Sequence, residues 1–128
     1  MKYTKRNKAR LIADCEKLKV QMGMGTLHVS YRFEKKDGYS LADSCMYFWG
    51  WKSKLTFYDA FFEEDEGLQR FTMIHEFVHV AMIPFDSTVE KVIDGHKKGP
   101  MQQVYRTNVK TAREIVVDRL AGAFKDLL

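Results

Sequence analysis

The spacing of apolar residues along the chain shifts from a helical period to a strand period and back, and the shifts mark its elements. From about Thr4 to Met22, Leu11, Cys15, Leu18 and Met22 stand at i, i+4, i+7 and i+11, the buried stripe of a helix. Gly23 and Gly25 signal its end. From Thr26 to Lys35 the pattern alternates. Leu27, Val29, Tyr31 and Phe33 take one face and His28, Ser30, Arg32 and Glu34 the other, as in a half-buried strand. Asp37-Gly38 is a turn signal. Two aromatic and β-branched runs follow, Ser44–Trp51 and Lys54–Asp59, and the short Trp51-Lys52-Ser53-Lys54 link predicts a hairpin.

The helical period then returns. Glu63-Glu64-Asp65-Glu66 suits a first helical turn, where carboxylates meet the positive end of the dipole. Leu68, Phe71, Ile74, Phe77, Val78, Ala81 and Met82 carry the period to Pro84, which is expected to stop it. Residues 86–103, with Gly95, Gly99 and Pro100, read as a connection, and a last helix is expected from about Thr107 to Leu127. The order predicts a single α+β domain over residues 1–128: an N-terminal helix, a small three-stranded and mostly antiparallel sheet, a central helix and a C-terminal helix.

Charge adds one feature to this picture. The net charge of +4 is uneven: Lys2, Lys5, Arg6, Lys8 and Arg10 precede the first acid, Asp14, whereas five acids lie from Asp59 to Glu66. A basic arm can contact nucleic-acid phosphates, but only Tyr3 is interleaved with these bases, so a solvated helix face is the simpler reading. No run approaches the ~20 apolar residues of a membrane span, and the basic start is not followed by the apolar run of a secretory signal. Cytoplasmic residence with no membrane partner is the expectation. Cys15 and Cys45 form no CxxC pair and read as buried free thiols.

The chemistry lies in the central helix. In His75-Glu76-Phe77-Val78-His79 the two histidines are four apart, so both imidazoles leave one helix face and can reach a single Zn²⁺ at roughly 2.0–2.1 Å. Glu76, about 100° around the helix, can approach the open position of such a metal without being a ligand, as a general base requires. A third protein ligand is needed. The metzincin position, six residues past His79, holds Phe85 and excludes that pattern. Two candidates remain. Glu114 borders a stripe of Val117, Ala121, Phe124 and Leu128 lying roughly 20–80° from it on the last helix. His96 lies in the glycine-flanked Asp94-Gly95-His96-Lys97-Lys98-Gly99-Pro100 segment.

The run His75–Asp86, followed by Glu114-Ile115-Val116-Val117-Asp118-Arg119-Leu120-Ala121, resembles small zincin-like proteins of bacteriophages and prophages, which look like minimal gluzincins. The resemblance covers roughly Ala42 to the C-terminus. It implies a zincin-like fold and a zinc metallopeptidase with His75, His79 and Glu114 as ligands, Glu76 as base and a peptide or protein as substrate. It also implies that the strand before the motif helix, here Lys54–Tyr58, is an edge that takes substrate backbone by strand addition. Trp49 and Trp51 are candidates to line the cleft. A second resemblance, to SprT-like proteases that act near DNA, rests on Asp94-Gly95-His96 and implies His96 as third ligand; Lys97-Lys98 departs from that pattern. The alternative to an enzyme is a catalytically silent zincin in which zinc joins two helices and the surface binds protein or nucleic acid.

Overall fold

In the computed structural model of the chain the described residues are 2–35, 38, 40–47, 52–95 and 98–127. Helix α1 (Lys5–Gln21) starts where the Thr4 hydroxyl accepts the Asn7 N–H at 3.1 Å, and buries Leu11, Cys15 and Leu18. It ends at Gly23, whose φ of 78° is the left-handed conformation that glycine adopts without strain. Lys19 is buried as well, and its Nζ donates to the Leu27 carbonyl at 2.8 Å, tying the helix end to the strand that follows. Of the basic residues on this arm, Lys8 lies 4.2 Å from the Tyr3 ring centre and Arg10 pairs with Asp14, so part of the charge is folded back onto the protein.

Strands β1 (His28–Glu34), β2 (Ala42–Tyr47) and β3 (Lys52–Tyr58) form one sheet in the order β1-β3-β2. Three corrections to the sequence expectation follow. The sheet is mixed and not mostly antiparallel, because β1 runs parallel to β3 while β2 runs antiparallel to it. β3 is the central strand and not an edge, so the edge beside the motif helix is β2. The hairpin joins β2 to β3 as expected, but Lys52-Ser53-Lys54 belong to β3 and not to the link. The reason is legible in burial. β3 is buried continuously from Leu55 to Tyr58, as a strand with neighbours on both sides must be, whereas β1 alternates. Trp49, Trp51, Asp37, His96 and Leu128 lie outside the described residues. Cys15 is fully buried and its burial pushes the thiol far up; Cys45, within β2, is only half-buried.

After β3 a 3-10 turn (Asp59–Glu63) folds Phe61 and Phe62 into an aromatic cluster, with ring centres of Phe57 and Phe61 4.9 Å apart. Gln69 Nε2 donates to the Phe61 carbonyl at 2.9 Å and fixes this turn to the next helix. That helix, α2 (Glu66–Asp94), is capped by Asp65 Oδ1, which accepts the Leu68 N–H at 2.8 Å. Its first half buries Met73, Ile74, Phe77, Val78 and Val80 between the sheet and α1, each such side chain contributing on the order of 1.5–3 kcal/mol.

Pro84 does not stop α2. The helix continues for ten residues to Asp94, so most of the expected connection is helical. The extension is held by α3 (Pro100–Leu127), which begins earlier than expected, with Pro100 at the first helical position. Arg113 Nε lies 3.1 Å from Asp86 Oδ1, and Arg106 pairs with both Glu90 and Asp94. These ties, with Val117 and Ala121 buried against the core, outweigh the lost hydrogen bond at proline. Among the described residues no helix is long and apolar enough to cross a membrane.

Pro84 is exposed and its side chain makes little packing that alanine would lose. Pro84→Ala is therefore expected to raise unfolding free energy by about 1–3 kcal/mol, measured by urea titration. A destabilised variant would mean that the bend at Pro84 is needed for α2 to reach α3.

Candidate metal centre

The site is built where the middle of α2 faces the middle of α3. His75 and His79 leave α2 on one face, with ring centres 4.8 Å apart and side chains 19% and 17% exposed. From α3, Glu114 reaches the same point. His75 Nε2 and His79 Nε2 are 3.1 Å apart, His79 Nε2 lies 3.5 Å from Glu114 Oε1, and His75 Nε2 lies 4.0 Å from Glu114 Oε2. Ligand atoms held 2.0–2.1 Å from a tetrahedral zinc stand about 3.3 Å apart, so the three groups bracket the spacing a metal ion requires. They form a set that could hold one, since all their ligand atoms lie within 4.8 Å of one another.

The protonation states favour the same use. Burial lowers the His75 pKa, and His79 adds to the shift, against the opposing pull of Asp118 and Glu114. His75 is therefore neutral at neutral pH, the form that ligates metal. Its other nitrogen, Nδ1, lies 3.0 Å from Asp118 Oδ1, a close contact whose angle falls short of a straight hydrogen bond. A carboxylate at Nδ1 fixes the tautomer that leaves Nε2 free to bind. Asp118 was not among the residues singled out in the sequence, yet it stands one helical turn from Glu114, and this i, i+4 carboxylate pair is readable there.

Glu76 points away from the histidine pair toward β2 and is 6% exposed. Burial pushes its carboxyl up to about 7; a hydrogen bond from Ser44 opposes the rise, while Asp43 and Glu114 add to it. Ser44 also lines a cleft of about 460 Å³ that opens beside His79 between β2, α2 and α3, with Ile83, Asp86, Glu90 and Arg113 on its walls. His75, His79 and Glu114 are thus brought to one point, while Glu76 lies on the β2 side of the same helix. Glu114 stands half exposed at the border of a stripe of buried Val117 and Ala121 and partly buried Phe124. His96 lies outside the described residues, and the three-ligand set is complete without it.

Glu76 gives a pH signature in the metal-free protein. Its folded pKa of about 7 exceeds the ordinary 4.5, so folding favours the protonated form. Stability from this group is fully present below pH 4.5 and is lost as pH rises through about 7, a change of up to about 3 kcal/mol. In chelator, Glu76→Gln is expected to exceed the wild type in stability at pH 8, with the gap closing by about pH 5. Urea unfolding at several pH values reads this directly, and parallel pH profiles for the two proteins would refute it.

Compared with protein-family models, with curated proteins and with solved structures, the chain matches none of the three. What the site does must accordingly be argued from its own groups.

Proposed function

We propose that this protein is a zinc-dependent metallopeptidase of the zincin type, with His75, His79 and Glu114 as ligands and Glu76 as general base. The single observation that carries the reading is the convergence of His75, His79 and Glu114 within ligand reach of one another, with a buried carboxyl, Glu76, one residue on from His75. A site that only joins two helices needs no carboxyl kept out of water next to the metal, and a structural zinc commonly takes four protein ligands. Two imidazoles with one carboxylate suit zinc before other divalent ions.

A bound zinc ion would supply Lewis acidity, lowering the pKa of water toward ~7 and polarising the scissile carbonyl. The remaining work falls to the chain. Glu76 takes a proton from the attacking water and delivers it to the leaving amine; a pKa near neutrality, lowered further by a nearby cation, suits both halves of that transfer. Ser44, which lines the cleft, hydrogen-bonds the Glu76 carboxyl. Asp118 orients the His75 ring through Nδ1. Among the described residues no strand pairs with the outer edge of β2, so a substrate backbone can add there and cross the cleft beside His79.

Zinc content and peptide hydrolysis, read together, test this. The wild type is expected to hold about one zinc per chain. Glu76→Gln keeps the metal and loses at least about a hundredfold in hydrolysis of a mixed peptide library, the scale of one acid–base catalyst. His75→Ala and Glu114→Ala lose the metal, Asp118→Ala binds it about 10–100-fold more weakly, and His96→Ala is unchanged. Zinc retained by Glu114→Ala and lost by His96→Ala would move the third ligand to the SprT-like position. Equal hydrolysis by Glu76→Gln and wild type would remove the proposed mechanism.

A further inference from the structure

Helix α3 spans 28 residues and only Val117 and Ala121 of them are buried. On the flank that α2 leaves open, Val116, Leu120, Ala123 and Leu127 form one stripe, with Val116 43%, Leu120 40% and Leu127 79% exposed. The stripe repeats every eleven residues, Val109 with Leu120, Ala112 with Ala123 and Val116 with Leu127, a period that keeps it straight along the helix. At its N-terminal end it meets Phe85 of α2, itself 67% exposed, across an apolar notch of about 240 Å³. Exposed apolar residues gathered into one stripe mark an interaction surface, unlike apolar residues scattered singly. Its border away from α2 carries two charged residues, Arg119 and Asp126, seven positions apart.

We propose that this face is the interface of a two-fold dimer in which α3 packs antiparallel against α3 of a second copy of the chain. The pattern is self-complementary only in that sense. With the axis between Ala121 and Gly122, Val116 meets Leu127 of the second copy and Leu120 meets its Ala123. Large residues thus oppose large or small ones without a gap. The same operation brings Arg119 against Asp126 of the second copy, and the reverse, closing two ion pairs along one border of the apolar seam. A parallel pair would set Arg119 on Arg119 and Asp126 on Asp126. Glu114 and Asp118 leave α3 on the opposite side, so the metal centre stays open in the dimer. This inference stands apart from the peptidase reading.

Sedimentation equilibrium of the full chain, from low to high micromolar, tests it. The expected mass is twice 15.0 kDa. Leu120→Glu, which acts at two symmetric places, weakens the dimer a hundredfold or more, and Arg119→Asp weakens it about tenfold. The double variant Arg119→Asp/Asp126→Arg restores the wild-type association. All substituted positions are exposed, and unchanged circular dichroism checks that the fold is kept. A monomer at every concentration overturns the proposal, as does a dimer indifferent to Leu120→Glu. A double variant that stays as weak as Arg119→Asp alone overturns the antiparallel arrangement and the proposal with it.

Discussion

The register between α2 and α3 is the constraint on which the site depends. α2 supplies His75, Glu76 and His79, and α3 supplies Glu114 and Asp118, so neither helix holds a ligand set alone. Sliding α3 by one residue moves it about 1.5 Å and turns it about 100°, which would carry Glu114 off the metal position altogether. Two kinds of contact oppose that slip. Val117 and Ala121 supply burial energy, while Arg113 and Arg106 bridge Asp86, Glu90 and Asp94 at fixed positions along α2. Each exposed ion pair is worth little, roughly 0.2–1 kcal/mol, but a network of two guanidinium groups and three carboxylates admits few registers.

Glu76 shows the opposite balance, a group kept in place at a cost to stability. A carboxyl this buried favours folding only while protonated, and its one hydrogen-bonding helper, Ser44, does not cancel the desolvation. A leucine there would pack with no such penalty. A strongly shifted carboxyl one residue on from a candidate metal ligand is an arrangement more often found at reacting sites than at structural ones. Because Ser44 sits on β2, the strand with the open edge, the position of the proposed base and the proposed path of a substrate are set by the same element.

What the sequence made legible follows how local each signal is. α1 could be read to within a residue, because Thr4, the Leu11–Cys15–Leu18 stripe and Gly23 lie within one element. β1 was readable from its alternation alone. The histidine pair needs only helical spacing, and Glu114 needs a helical wheel. The misreadings all involve partners distant in sequence. Pro84 reads as a stop until the ties from Arg106 and Arg113 are known. β3 reads as a hairpin strand until β1, more than twenty residues earlier, pairs alongside it in parallel. Its run Leu55-Thr56-Phe57-Tyr58, apolar on both faces, nevertheless carried the mark of a central strand. Asp118 was hidden for another reason: its role depends on which nitrogen of His75 faces the metal, and spacing does not fix that.

α3 therefore has two jobs that pull on its stability in different ways. It carries the proposed third ligand, yet it packs mainly on α2 and buries two residues in twenty-eight, so its detachment costs little. A metal bound across the two helices opposes that detachment, since any ligand that binds only the docked arrangement stabilises it by mass action. A second copy covering the apolar flank would oppose it as well, from the side away from Glu114. The two effects must then reinforce one another: a helix already clamped by its partner presents Glu114 to the histidines without paying the ordering entropy at the moment of binding. Reciprocally, a filled metal centre fixes the helix whose outer face forms the seam. On these two proposals the centre and the apolar face would be coupled through the one helix they share.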